Sequence, residues 1–90
     1  MAWSIEFDPA AFTELKRLDP PIQRRILRYL RERVSTAEDP RSFARPLRGE
    51  KVGLWRYRVG AYRVVCAIED RQDRVRVLRI GHRREVYDRG

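Results

Sequence analysis

The sequence has little of what most metal sites and disulfide-bonded folds require. It contains one cysteine, Cys66, so a disulfide within the chain is impossible. It contains one histidine, His82, and no paired His/Cys spacing, which argues against a zinc-type metal site. A glycine-rich phosphate loop is also missing. These absences exclude the commonest cofactor and metal chemistries, and we expect the protein to use neither a cofactor nor a metal.

Long apolar runs are missing too. No stretch approaches the roughly 20 apolar residues that a membrane-spanning helix needs. The N-terminal segment Trp3–Phe7 is too short for a signal peptide and carries a charge. Cys66 has apolar neighbours, which is typical of a buried and inert thiol. The sequence therefore predicts a protein of the reducing cytoplasm that does not associate with membranes.

Arginine is what the chain has in excess. Its 90 residues include 21 basic and 13 acidic ones, for a net charge of +8, and Lys16 and Lys51 are the only lysines. The guanidinium group offers a planar fork of donors that matches phosphate and stacks on bases. The basic excess predicts an anionic partner, which is nucleic acid, an acidic protein or both. A base-composition bias of the genome would give the same preference for arginine over lysine.

Length and hydrophobic periodicity predict one domain, residues 1–90, of the α+β class. The expected elements are a strand Trp3–Phe7, a helix to about Leu18, a helix to about Val34, and strands over 54–59, 62–69 and 74–82. An aspartate and a proline begin each helix, at Asp8 and at Asp19. The short connection at Asp19 predicts an antiparallel helix hairpin. The last three strands should form an antiparallel meander with the helices packed on one sheet face.

Apolar spacing predicts how these elements pack. The expected buried stripes are Phe12, Leu15 and Leu18 on the first helix and Ile22, Ile26, Leu30 and Val34 on the second. In the last strand Val75 and Val77 share one face and Leu78 and Ile80 the other, which predicts a bulge or burial on both faces. The segment from Ser35 to Pro46 has no period and is predicted to be a loop. The sheet face without helices should be free for a ligand.

Arginines alternate with apolar residues in the C-terminal half. Period two puts Arg56 and Arg58 on one strand face and Trp55, Tyr57 and Val59 on the other. By spacing alone, a solvated strand face is the simpler interpretation of Arg56 and Arg58. Arg63 could equally be a structural partner of Glu69 or Glu85, and His82 a hydrogen-bonded strand residue.

Four longer motifs favour a functional interpretation of these residues over a structural one. The segments are Leu47-Arg48-Gly49, Trp55-Arg56-Tyr57-Arg58, Tyr62-Arg63-Val64-Val65 and Ile80-Gly81-His82-Arg83-Arg84-Glu85-Val86-Tyr87. In this order they resemble the RelE branch of the RelE/ParE toxin superfamily, over nearly the whole chain. The resemblance implies a type II toxin that is neutralised by a cognate acidic antitoxin and cleaves messenger RNA on the ribosome. It also implies that the toxin–antitoxin complex binds operator DNA through the antitoxin.

The resemblance further implies a catalytic site. Arg63 matches the arginine that contacts the scissile phosphate, and Arg83 matches the arginine that follows the glycine step at the end of the last strand. Tyr87 matches the tyrosine that orients or activates the attacking hydroxyl. Arg56 and Arg58 stand where well-studied RelE-like members carry lysines. With Arg48 and Arg84, they are the residues expected to bind RNA.

The reaction explains why such residues are needed. When a ribose 2′-hydroxyl attacks the neighbouring phosphate, negative charge builds on the phosphorane, and loss of one fixed donor to it costs about 3–4 kcal/mol. A base must accept the hydroxyl proton and an acid must protonate the leaving oxygen. Arginine serves poorly in either role. His82 is therefore a candidate acid or base, because imidazole titrates near neutral pH.

Two other functions stay open at this point. One is a ParE-like protein that inhibits DNA gyrase without catalysis, which would not require Arg83 and Tyr87 at the end of the last strand. The other is a degenerate member that only binds RNA or an antitoxin. The arginines at positions 56 and 58 leave that second alternative open, because the proton transfer that a lysine could provide is missing.

Overall fold

The computed structural model describes residues 2–49 and 52–84. Its elements are β1 (Ser4–Phe7), α1 (Pro9–Lys16), α2 (Pro20–Tyr29), β2 (Arg45–Pro46), β3 (Trp55–Val59), β4 (Tyr62–Glu69) and β5 (Arg74–His82). A π-helical turn, Leu30–Val34, continues α2, and short 3₁₀ turns occupy Pro40–Phe43 and Asp70–Gln72. The predicted α+β class is confirmed.

The strands form one sheet in the order β1-β5-β4-β3-β2. Strands β3, β4 and β5 make the predicted antiparallel meander, and β1 pairs with β5 in parallel as far as Phe7 and Val77. The prediction that Ser35 to Pro46 is only a loop is wrong, because Arg45 and Pro46 pair with β3 as the strand β2. Two residues are too few to produce a hydrophobic period, so this strand could not be predicted from spacing.

Helices α1 and α2 cover one face of the sheet, called here the helix face. The side chains of Ile26, Leu30 and Val34 are buried there, as predicted. Tyr57 of β3 is buried against them, and its hydroxyl donates a hydrogen bond of 2.8 Å to the Pro40 carbonyl. A tyrosine hydroxyl inside a core requires such a partner. The segment after α2 therefore helps to hold β3 under the helices.

A β-bulge in β5 explains the slip in its apolar pattern. Val65 pairs with Arg79 and Cys66 with Val77, so Leu78 is an extra residue on β5. The extra residue returns Ile80 to the helix face, where only 2% of it is exposed. The predicted bulge is present, and it reverses the facing of every later residue in the strand.

The expected stripe of α1 is wrong at one position. Phe12 is 50% exposed, because Ala11 and Leu15 take the buried positions of this helix. Lys16 lies over the Phe12 ring, at 5.3 Å from its centroid. Neither this helix nor any other within residues 2–49 and 52–84 is long and apolar enough to cross a membrane.

The aspartates that precede the helices do not cap them through their side chains. Asp8 instead forms an ion pair with Arg76 of β5, at 3.2 Å. The carboxamide of Gln23 donates to the carbonyls of Lys16 (3.2 Å) and Leu18 (2.7 Å), which closes the end of α1. The predicted helix starts are correct in position, but neither aspartate caps its helix, and Asp8 makes a tertiary ion pair instead.

Candidate functional site

The sheet face turned away from the helices, called here the open face, carries most charged strand residues. The cross-strand register places on it Arg45, Arg56, Arg58, Arg63, Val65, Ala67, Glu69, Arg74 and Arg76. Along β4, this face changes from Arg63 at one end to Glu69 at the other, roughly 20 Å apart at about 3.4 Å per residue. The open face therefore has two regions of different charge.

At one end of the open face, acids and arginines neutralise each other. Glu69 accepts hydrogen bonds from Arg74 and, at 3.2 Å, from Arg76. The bond from Arg74, followed by that from Arg76, lowers the pKa of Glu69. Arg76 also contacts Asp8 at 3.2 Å, and Arg74 contacts Glu6 at 3.5 Å. These ion pairs tie β1, β4 and β5 together, and we interpret this end as structural.

At the other end lies a group of four arginines, Arg45, Arg56, Arg58 and Arg63, called here the arginine cluster. Arg45 is directly opposite Arg56 across β2 and β3, and Arg58 is directly opposite Arg63 across β3 and β4. Burial lowers the pKa of Arg56, and the charges of Arg63, Arg58 and Arg45 lower it further. Like charges in directly opposed positions destabilise a sheet. A bound anion would relieve this repulsion.

A small apolar cluster lies on the middle of the open face. Leu47 is 5% exposed and packs on Val65, with Leu54 beside them. The Leu47 N–H donates to the Leu54 carbonyl at 3.0 Å, which holds the segment after β2 in place. The sequence prediction that the whole open face is free was therefore wrong. Arg48 follows Leu47 in this segment and is exposed.

The end of β5 brings Arg83 to the same end of the sheet as Arg58 and Arg63. The Arg83 N–H donates to the carbonyl of Ala61, in the turn between β3 and β4, at 2.9 Å, and its side chain is exposed. Arg84 is exposed as well. Glu85 and Tyr87 lie outside the described residues, so the role assigned to Tyr87 stays a prediction.

His82 does not join the arginine cluster. It pairs with Tyr62, whereas Arg63 pairs with Gly81, and consecutive strand residues face opposite sides. His82 therefore faces the helix side, where its ring meets that of Tyr62 edge to face, with centroids 5.5 Å apart. Its Nδ1 accepts the Arg84 N–H at 3.2 Å. The expectation that His82 and Arg63 line one site is not met, because the bulge at Leu78 reverses the facing of His82.

Two further predictions can be compared with this geometry. Glu69 is bonded to Arg74 and Arg76 at the far end of β4, so of the two partners considered for Arg63 it is not the one. The other, Glu85, lies outside the described residues. Cys66 is buried, and burial raises the pKa of its thiol, as expected for an inert cysteine. Within the part of the chain that the structure describes, no three His, Cys, Asp or Glu residues gather where they could hold a metal ion.

A five-stranded mixed sheet with a helix pair on one face is the fold of solved RelE-like toxins. Residues 5–87 match the family model described as the ParE toxin of the type II toxin-antitoxin system, parDE. The chain belongs to this family, and so to the RelE/ParE superfamily that its motifs resemble.

Individual relatives agree with this assignment. The chain is 30% identical over 89 residues to Toxin RelG of Mycobacterium tuberculosis (strain ATCC 25618 / H37Rv). The aligned residues make up 99% of this chain and 100% of the relative. The solved toxin-antitoxin complex RelBE2 of M. tuberculosis matches with a TM-score of 0.84 and 29% identity, over 92% of this chain and 93% of that one. The isolated RelE toxin of E. coli matches with a TM-score of 0.70 and 22% identity, over 90% and 84%, which is a likeness of fold alone.

Proposed function

We propose that this protein is a toxin that cleaves messenger RNA on the ribosome, by attack of a ribose 2′-hydroxyl on the adjacent phosphodiester and without a metal ion. The observation that carries the proposal is the arginine cluster, in which two arginine pairs are directly opposed across neighbouring strands. Guanidinium groups that lie together on one sheet face can donate several charge-assisted hydrogen bonds to a single phosphate. The similarity to Toxin RelG adds support.

The arginine cluster would hold the scissile phosphate. Arg56, Arg58 and Arg63 lie on one face of two neighbouring strands, and guanidinium donors on rigid strands need little reorganisation when charge develops on the phosphorane. The pKa of Arg56, lowered by burial and by its arginine neighbours, should rise when the phosphate binds. Arg48 and Arg84, both exposed, would contact neighbouring phosphates along the strand.

Arg83 and Tyr87 complete the proposed site. The backbone of Arg83 is fixed beside Ala61, so its exposed side chain starts from the same end of the sheet as the cluster. Tyr87 is proposed to orient the attacking hydroxyl. His82 has a different role in this proposal: from the helix face, its Nδ1 holds the Arg84 N–H and fixes the turn that follows β5.

A cognate acidic antitoxin is proposed as the protein partner. The net charge of +8 and the concentration of arginine on the open face suit an acidic chain. Solved relatives from M. tuberculosis and E. coli are toxin-antitoxin complexes. The complex would bind operator DNA through the antitoxin, in the cytoplasm.

A second candidate function is inhibition of DNA gyrase without catalysis. One observation favours it: the family model that matches is described as the ParE toxin. In this case the arginine cluster would bind an acidic surface of the target protein, and no RNA would be cut.

One experiment separates these functions. The toxin is induced in cells, ribosome-bound messenger RNA is mapped by primer extension, and gyrase supercoiling is assayed in parallel. Cuts within codons that disappear with Arg58→Gln and Arg83→Ala, but persist with Arg24→Gln on the exposed side of α2, support the nuclease. Loss of supercoiling without cuts supports gyrase inhibition and contradicts the nuclease.

A further inference from the structure

A cavity of about 620 Å³ opens between the end of α1 and the end of β5. Its walls include Glu14, Arg17, Leu18, Tyr62, Arg79 and His82. The volume falls within the roughly 300–1,000 Å³ that is usual for small-ligand sites. None of the four residues of the arginine cluster lines this cavity, so the nuclease proposal does not use it.

One wall of the cavity is aromatic and apolar. Tyr62 and His82 are half-buried and meet edge to face, with an angle of 80° between the ring planes. Leu18, also half-buried, lies at the end of α1. Aromatic side chains beside an apolar surface bind nucleobases by stacking, which is worth about 1–3 kcal/mol per base.

The cavity also has guanidinium groups. Arg17 is exposed directly after α1, and Arg79 is 49% exposed at the bulge of β5. The Arg79 Nε donates to Glu14 Oε2 at 3.0 Å, so this guanidinium is held in place. The other oxygen of Glu14 accepts the Ile80 N–H. Glu14 is the one carboxylate among the wall residues that the structure describes, and both of its oxygens are thus bonded to β5. Two arginines beside an aromatic pair suit a phosphate attached to a base.

We propose that this cavity is a nucleotide subsite, in which Tyr62 and His82 contact a base and Arg17 and Arg79 contact its phosphate. The inference rests on the proposed function, since the natural occupant would be a nucleotide of the RNA strand that the arginine cluster holds. Gly81 links the two sites: it pairs with Arg63 and also lines the cavity. It has no side chain to obstruct a strand that passes around the edge of β5 from one face to the other.

The test uses the full chain, without ribosomes. Adenosine 5′-monophosphate, adenosine, inorganic phosphate and a five-nucleotide single-stranded RNA are each titrated and followed by amide NMR. We expect the monophosphate to shift the amides of Leu18, Tyr62 and Ile80, and to bind at least tenfold more tightly than adenosine or phosphate. Arg17→Gln should weaken it about tenfold, whereas the control Arg24→Gln on α2 should not. The RNA should shift the same amides and those of β3 as well.

Each other outcome has a definite meaning. Shifts confined to β3, phosphate binding as tight as that of the monophosphate, or an Arg17→Gln variant with unchanged affinity would overturn the subsite. Binding of the monophosphate without any shift by the RNA would identify a site for free mononucleotides and overturn the link to the RNA strand. Because Tyr62→Leu could disturb folding, the decision rests on Arg17→Gln. If the wild-type toxin binds the monophosphate but cuts no messenger RNA in cells, the nuclease proposal is contradicted while the nucleotide site itself is confirmed.

Discussion

Glu14 of α1 supports the backbone of β5 at Ile80, where β1 no longer runs beside it. Its Oε1 accepts the Ile80 N–H at 2.7 Å, three residues beyond the last pairing of β1 with Val77. A side chain from a helix thus satisfies a strand donor that would otherwise lie unpaired at the sheet edge. The same carboxylate holds Arg79, the residue that follows the bulge. Helix α1 therefore fixes the part of β5 that leads to Arg83.

Replacing Glu14 should test this support. Glu14→Ala removes the acceptor of the Ile80 N–H and should lower the free energy of unfolding by about 1–3 kcal/mol. Glu14→Gln keeps a carbonyl oxygen for Ile80 but loses the charge opposite Arg79, and should cost less. Urea denaturation of both variants measures the difference. Equal losses in the two variants would mean that the hydrogen bond to Ile80 carries no weight.

The arginine cluster should reduce stability in the free protein. Removing one charge of the directly opposed pair, by Arg58→Gln, should raise the free energy of unfolding by about 0.2–1 kcal/mol while it abolishes or weakens the toxin. Added phosphate should stabilise the wild type more than the variant, because the anion relieves the same repulsion. Thermal unfolding with and without phosphate checks both points. An Arg58→Gln protein that is less stable than the wild type would contradict the interpretation.

Much of this arrangement could be predicted from residue spacing. The alternation of Arg56 and Arg58 with Tyr57 and Val59 gave the correct faces of β3, since it depends only on the two-residue period of a strand. The spacing of Ile26, Leu30 and Val34 correctly predicted that these side chains are buried, because it depends only on the period of a helix. These are local patterns, and burial in the structure agrees with them.

The position of His82 could not be obtained from alternation alone. In an unbroken strand, Val75 and Val77 on the helix face would leave His82 on the open face, beside Arg63. The extra residue at Leu78 inverts this order, so His82 lies against Tyr62 instead. The slip was visible in the sequence, but its consequence depends on which residue is unpaired, and the partner strand decides that.

Leu47 was missed for a different reason. It lies between Pro46 and Arg48, in a segment that shows no sustained strand or helix period. Its burial depends on Val65 and Leu54, which only the folded chain brings near. Contacts between segments distant in sequence leave no periodic signal.

Gly60 should be intolerant of a side chain because of its backbone conformation. Its φ is +60°, and a Cβ there would lie 2.7 Å from Nη1 of Arg25. Gly60→Ala should therefore lower the free energy of unfolding by about 1–2 kcal/mol through the left-handed backbone. Because Nη1 is the far end of a flexible side chain, Arg25 should move aside at little cost. The loss should then be the same in an Arg25→Ala background, which a double-mutant cycle of urea denaturation measures. Clear coupling between the two positions would show that Arg25 resists displacement.

Acid should weaken the end of the open face where Glu69 meets Arg74 and Arg76. Their hydrogen bonds lower the pKa of Glu69 in the folded protein, so its contribution to stability is present above the unfolded value of about 4.3 and is lost as the pH falls through the lower folded value. The urea midpoint of the wild type should therefore decrease below about pH 5. The midpoint of Glu69→Gln should decrease less steeply, because this variant has no carboxylate at position 69 to protonate. Glu38→Gln, at an exposed position after α2, is the matched control and should follow the wild type. Parallel curves for the wild type and Glu69→Gln would mean that these ion pairs do not hold β4 and β5 together.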